Sequence, residues 1–171
     1  MSELAITVIG RDRPGIVADV AETLAGLGMN LTDSTMTRLR GHFAMTLVCA
    51  GQARPERVQA ALAPLCADGT LVAVVREVPP EADRPETGTP YLVSLHGADR
   101  LGIVAAVTRV LARHGGNITD LTTRLAGPLY VLVAEVDLPP DTVDTVTSEL
   151  AEVAAKLEVD VTVRPGELDV L

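Results

Sequence analysis

The sequence predicts an α+β fold made of two tandem ferredoxin-like domains, each a four-stranded antiparallel sheet with two helices on one face. The first observation is an internal repeat: residues 10–18 return as residues 97–105, and each copy leads on to Asn-x-Thr-Asp at the same distance. The second observation is that both halves place strand-like and helix-like apolar patterns in the order βαββαβ. That order, with short connections, is typical of the split βαβ plan.

Each element of the first half has its own signal. Alternating or continuous apolar residues predict strands, and apolar residues at i, i+3 and i+4 spacing predict helices. Pro14 suits the first position of the first helix, and Gly28 suits its end. The predicted elements are a strand at 5–9, a turn at 10–13, a helix from Pro14 to Gly28, strands at 30–39 and 43–49 joined by a turn at 40–42, a helix from about Pro55, and a strand at 71–78.

The second half repeats these signals in the same order. Residues 1–78 are predicted as the first domain and residues 91–171 as the second. The segment 79–90 holds four prolines and almost no apolar side chains, which predicts an extended, semi-rigid linker that lets the two halves pair within one chain. The predicted elements are a strand at 91–95, a helix from Ile103 to about Gly115, strands at 118–125 and 130–136 joined by a turn at 126–128, a helix over 143–157, a strand at 159–163, and a short tail at 166–171.

Composition excludes several functions. A formal net charge of −9 opposes a phosphate backbone, so we expect no direct binding of nucleic acid. The chain begins without a basic, apolar leader, and no stretch approaches the ~20 apolar residues of a membrane span. We therefore expect a cytoplasmic protein without a membrane association. Cys49 and Cys66 suit reduced, buried thiols, with a disulfide between them as the less favoured alternative.

The sequence carries no recognisable catalytic or metal-binding pattern. His42, His96 and His114 are scattered, without an i, i+4 pair and without Cys or carboxylate at ligand spacing. A nucleophile elbow and a phosphate-binding loop with its Lys are also lacking. We therefore expect a protein that is not an enzyme and that holds no metal and no cofactor.

The repeated segment resembles the ACT domain, the small-molecule-sensing module of amino-acid metabolism. The resemblance rests on a strand, then Gly-x-Asp-Arg-Pro-Gly-Ile-Val opening a helix, then Gly-x-Asn-Leu-Thr-Asp at the second strand. The Asp-Arg-Pro-Gly form is most similar to tandem ACT proteins of the glycine cleavage system transcriptional repressor type. It also occurs in ACT modules attached to formyltetrahydrofolate deformylases and nitrogen-sensing uridylyltransferases. The resemblance implies side-by-side pairing of ACT domains into eight-stranded sheets, with an amino acid bound at the pairing interface.

The loop between the first strand and the first helix also has binding chemistry of its own. A helix N-terminus presents unpaired N–H groups and a partial positive charge, which suit a carboxylate, and nearby side-chain oxygens suit an ammonium group. Leu101 replaces Pro14 in the second copy, which predicts a less constrained loop there. The expected ligand-binding residues are Asp12, Pro14, Gly15, Ile16, Val17, Asn30, Leu31 and Asp33 in the first copy, and Asp99, Gly102, Ile103, Val104, Asn117, Ile118 and Asp120 in the second.

Each of these residue types also has a purely structural use. Glycines permit tight turns and close helix–sheet packing, Asp12 and Asp99 suit helix caps, and Asn30 and Asn117 suit turns. We expect a regulatory protein that binds an amino acid or related small molecule at ACT-domain interfaces and signals to a protein partner, in a setting that includes transcriptional control of amino-acid or one-carbon metabolism. The alternatives are an interaction scaffold whose ACT folds no longer bind ligand and, less favoured, a small ferredoxin-like enzyme.

The small size of each half also predicts self-association. Apolar residues alternate along 43–49 and 130–136, and we expect them to lie on the sheet faces opposite the helices. A contiguous exposed apolar patch is usually an interface. We therefore expect a homodimer.

Overall fold

The computed structural model describes residues 2–79 and 88–166. The chain divides into two compact units, Met1–Asp83 and Arg84–Leu171. Residues 80–87 of the predicted linker and residues 167–171 of the predicted tail lie outside the described residues.

Both units have the predicted βαββαβ order and a four-stranded antiparallel sheet. The strand order is β2-β3-β1-β4 in unit 1 and β6-β7-β5-β8 in unit 2, and the predicted fold class is confirmed. The elements of unit 1 are β1 Ser2–Arg11, α1 Ile16–Gly26, β2 Asn30–Leu39, β3 His42–Gly51, α2 Pro55–Leu62 with a 3₁₀ turn Ala63–Cys66, and β4 Leu71–Val78. Those of unit 2 are β5 Thr89–Ala98, α3 Ile103–Arg113, β6 Asn117–Ala126, β7 Leu129–Leu138, α4 Val143–Leu157 and β8 Val159–Pro165.

The start of α1 differs from the prediction. Pro14 lies in the turn before the helix, and Gly15 is the N-cap with φ 89° and ψ −8°. A residue in the left-handed region cannot continue a right-handed helix, so the helix begins only at Ile16. The predicted end at Gly28 is confirmed, because Met29 N–H donates to Leu24 O (3.0 Å) and Gly28 N–H to Ala25 O (2.9 Å), which is a Schellman motif.

The core of each unit lies between its sheet and its helices. Side chains that alternate along β3 are buried there, namely Phe43, Met45, Leu47 and Cys49, as are Leu132, Ala134 and Val136 of β7. The expectation that these residues lie on the face opposite the helices is therefore wrong. Only one face of each strand can meet the helices, and the residues with the strongest alternation are the ones that form this buried face.

Candidate functional site

The N-cap glycines of α1 and α3 have the same backbone conformation. Gly102 has φ 89° and ψ 4°, close to the angles of Gly15, although Leu101 stands where the first copy has Pro14. The first helical hydrogen bonds run from Asp19 N–H to Gly15 O and from Ala106 N–H to Gly102 O, both 2.9 Å. The two loops therefore open their helices in the same way.

Neither helix start is capped by a side chain. The N-cap residues make no side-chain hydrogen bond, and Asp12 instead accepts a contact from Arg38 at 3.4 Å between Nη1 and Oδ2. Within the described residues, the amides of Val17 and Val104 have no hydrogen-bond acceptor. Such amides, with the positive end of the helix dipole behind them, form an anion-binding geometry.

The arginine in the first loop lies against the helix start. Arg13 donates from Nη2 to Asp19 Oδ2 at 2.9 Å and from Nη1 to Pro14 O at 3.1 Å. Its Nη1 atom is 3.7 Å from the position that a Cβ on Gly15 would take. The pair is exposed and adds little to stability, but the guanidinium occupies space in front of the α1 N-terminus.

The second loop is open. Arg100 is turned toward the start of β8, where its Nη2 lies 2.7 Å from Glu158 Oε2. Apart from its two chain neighbours, no heavy atom of the described residues lies within 4 Å of the Cβ position at Gly102, and the side chain of Leu101 is fully exposed. An open depression of about 500 Å³ surrounds this helix start, lined by Asp99, Arg100, Leu101, Gly102, Ile103, Val104, Ala105 and Tyr130.

Four residues that line this depression were missing from the expected site: Arg100, Leu101, Ala105 and Tyr130. Tyr130 is paired with Gly97 at the end of β5 that leads into the loop. The internal repeat contained a signal for it, because Tyr130 matches Phe43, which pairs with Gly10 and is buried.

The expected strand residues lie far from these loops within each unit. Asn30 pairs with Ala50, and Ala50 pairs with Glu3 at the start of β1, whereas Asp12 follows the end of β1. At about 3.3 Å per residue, this separation is about 30 Å along the sheet. Unit 2 repeats the arrangement, because Asn117 pairs with Asp137 at the opposite end from Asp99. One unit therefore does not bring its loop and its strand residues together.

A β-bulge sets the directions of the strand residues. The register of β2 shifts between Leu31 and Asp33, so Thr32 is the extra residue of the bulge. Asn30 and Asp33 then share the face opposite the helices, while Leu31 packs partly against the core. In β6 the same shift occurs between Ile118 and Asp120.

The pattern of the ACT domain matches both units, over residues 2–75 and 89–164. The chain belongs to the ACT-domain family. It is 38% identical over 78 residues to a UPF0237 protein of Methanopyrus kandleri, a match that covers 44% of this chain and 87% of that protein. It is 26% identical over 121 residues to the glycine cleavage system transcriptional repressor of Escherichia coli K12, which covers 71% of this chain and 64% of the repressor.

A solved structure has the tandem architecture throughout. The crystal structure of an unknown protein from Galdieria sulphuraria superposes with a TM-score of 0.82 at 29% identity, over 97% of this ACT protein and 99% of that chain. The resemblance predicted from the repeated loop is thus confirmed as a tandem ACT relationship that includes the glycine cleavage repressor.

Two further findings concern the described residues of this ACT protein. They contain no cluster of three or more His, Cys, Asp or Glu side chains arranged to hold a metal ion. Among their helices, none combines the length and the apolar character that a membrane crossing requires.

Proposed function

We propose that this ACT protein is a non-enzymatic regulator whose second unit binds an amino acid or a related small molecule at the start of α3. The observation that carries the proposal is the open helix start at Gly102. Its left-handed N-cap leaves the Val104 amide without an acceptor in the described residues, and the space at the Cβ position of Gly102 is free of atoms other than those of its chain neighbours. A ligand carboxylate fits this combination of free N–H groups and helix dipole.

The rest of the ligand has candidate contacts at the rim. Asp99 carries a carboxylate that suits an ammonium group, and Leu101 and Tyr130 offer apolar surface to a side chain. Arg13 lies in front of the corresponding helix start in unit 1. Binding in unit 1 at Asp12, Pro14, Gly15, Ile16 and Val17 therefore requires that arginine to move or to join the ligand.

The strand residues Asn117, Ile118 and Asp120 enter this site only through a second ACT domain. The strand β6 is an exposed ten-residue edge without proline, and such an edge is a template for strand pairing. Antiparallel pairing of two such edges places the start of one strand beside the end of the other. The loop lies at the end of the sheet away from Asn117, so pairing supplies the missing half of the site.

The proposal is tested by thermal-shift screening of the twenty amino acids and common one-carbon metabolites, followed by titration calorimetry. A ligand at 100-fold its Kd stabilises by about 2.7 kcal/mol, which is roughly 5–10 °C for a chain of this size. Asp99→Ala should weaken binding, whereas Glu152→Ala, at an exposed position of α4, should not. No shift above about 1 °C at ~10 mM of any of these compounds favours the scaffold function instead.

Signalling then requires a protein partner. The relationship to the glycine cleavage repressor supports a role in transcriptional control of amino-acid or one-carbon metabolism, while the net charge of −9 opposes direct contact with DNA. We expect the isolated chain to give no sequence-specific gel shift near physiological salt. A tight, saturable shift would replace the partner with direct DNA binding.

A further inference from the structure

The face of sheet 1 opposite its helices, here called open face 1, is apolar at its centre. Its side chains alternate with the buried ones of β1, β3 and β4. Ile9, Val72 and Val74 are 50%, 56% and 46% exposed. The paired rows across this face are Thr37, Ala44, Ile9 and Val72; then Thr35, Thr46, Thr7 and Val74; then Asp33, Val48, Ala5 and Arg76.

The corresponding face of sheet 2 is polar. His96 and Asp160 form the pair that corresponds to Ile9 and Val72, and their side chains lie 3.6 Å apart. The equivalent of Val48 is Glu135, because both pair with matching positions of the central strand. The same fold therefore tolerates charged residues at these positions, and the apolar surface of unit 1 is not a requirement of the fold.

We propose that open face 1 packs against the same face of a second chain around a two-fold axis. An axis that runs between the sheets, parallel to the strands, exchanges the β2 edge of one copy with the β4 edge of the other. Asp33 and Arg76 end the same row at these two edges. Each carboxylate then lies over the partner's guanidinium, so the face is complementary in charge to itself, as a two-fold interface requires.

The central residues also suit close packing of two sheets. Ala5, Ala44, Thr7 and Thr46 are small, and facing sheets approach to about 10 Å. Four strands about 4.8 Å apart and about eight residues long cover roughly 500 Å². Two such faces bury about 1,000 Å², which reaches the lower limit of a specific interface. The corresponding row of sheet 2 holds Asp120, Glu135 and Arg164, so the same arrangement would bury one more carboxylate than guanidinium in each chain, which favours unit 1 for this interface.

The first test uses the residues that the second repeat already carries. The double variant Ile9→His with Val72→Asp gives open face 1 the pair found at His96 and Asp160. We expect light scattering at ~50 µM to show half the mass of the wild-type particle, with an unchanged circular dichroism spectrum. The matched control is Thr162→Asp on the open face of unit 2, at the position equivalent to Val74, and it should leave the mass unchanged.

The second test separates the interface from a folding defect. Arg76→Asp alone places like charges over each other and should raise the dimer Kd about tenfold, whereas Arg76→Asp together with Asp33→Arg should return it toward the wild-type value. Three results would each overturn the proposal. The wild-type protein could have the 17.9 kDa mass of one chain, or the Ile9→His and Val72→Asp variant could keep the wild-type mass. The third is a double charge reversal that does not return the dimer Kd toward the wild-type value. The readout is mass, so it is independent of ligand binding in unit 2.

Discussion

The left-handed glycine before α3 gives a direct test of why the repeated loop contains glycine. At Gly102 an added Cβ meets no atom within 4 Å, so packing does not oppose a side chain, but φ is 89°. An L residue with a Cβ in this region costs about 1–2 kcal/mol, and the lower entropy of unfolded Ala offsets about 0.4–1 kcal/mol. We expect Gly102→Ala to lower the free energy of unfolding by about 1 kcal/mol, or roughly 2–4 °C in Tm for a chain of this size.

Two companion variants make this expectation specific, measured by urea and thermal unfolding. Gly102→Asn should recover part of the loss, because Asn adopts the left-handed region more readily than Ala. Gly26→Ala is the control: Gly26 ends α1 with no atom within 4 Å of its Cβ position, and Ala is the better helix former by up to about 1 kcal/mol. If Gly102→Ala is as stable as wild type, or if Asn is no better than Ala, backbone conformation is not the reason for this glycine.

Three other predictions follow from packing and hydrogen bonds. Gly10→Ala should destabilise by about 1–3 kcal/mol, because a Cβ there would overlap the backbone carbonyl oxygen of Thr70; urea unfolding with an unchanged midpoint would contradict this contact. A maleimide should label Cys66 in the native protein and Cys49 only after unfolding, because Cys49 is fully buried and burial raises its pKa. Mass spectrometry follows the labelling, and equal labelling of the two cysteines in the native protein would contradict this expectation. Asp68→Ala should lower stability at neutral pH and lose its effect in acid. Hydrogen bonds from the Thr70 amide and hydroxyl hold the pKa of Asp68 below its ordinary value. The stability that Asp68 contributes is therefore present above about pH 3.9 and is lost as the pH falls through the lowered pKa. A stability difference between variant and wild type that stays constant with pH would refute this role.

Much of the fold could be predicted from the sequence because its signals are local. The β2 strand and its hairpin occur where the β-branched run and Gly41 indicate, and Arg40 and Gly41 both have positive φ, as a two-residue turn of type I′ requires. The α1 boundary was missed because Pro14 tolerates two positions, the first turn of a helix or the turn before it. Only the backbone angle at Gly15 decides between them.

The site was harder to predict because its parts are set by tertiary structure. The shared Asn-x-Thr-Asp segment follows the helix closely in sequence, but α1 carries the chain back along the sheet before β2 begins. Sequence proximity to the loop therefore became a distance of about 30 Å. Likewise, alternation along β3 indicates that one face is apolar, but not which face the helices cover. The path of α1 along the sheet and the sheet face that the helices cover together decide where a ligand and a partner are expected.

The differences between the two repeats argue for a division of tasks between units of the same fold. Unit 1 has an apolar face where unit 2 has His96 and Asp160, and its helix start has Arg13 in front of it. Unit 2 has a polar face, while its helix start is open because Arg100 pairs with Glu158. A contiguous exposed apolar face is usually an interface, and free amides at an exposed helix start are available to an anion. These differences support two separate proposals: a second chain on open face 1, and a small ligand with a carboxylate at the start of α3 in unit 2.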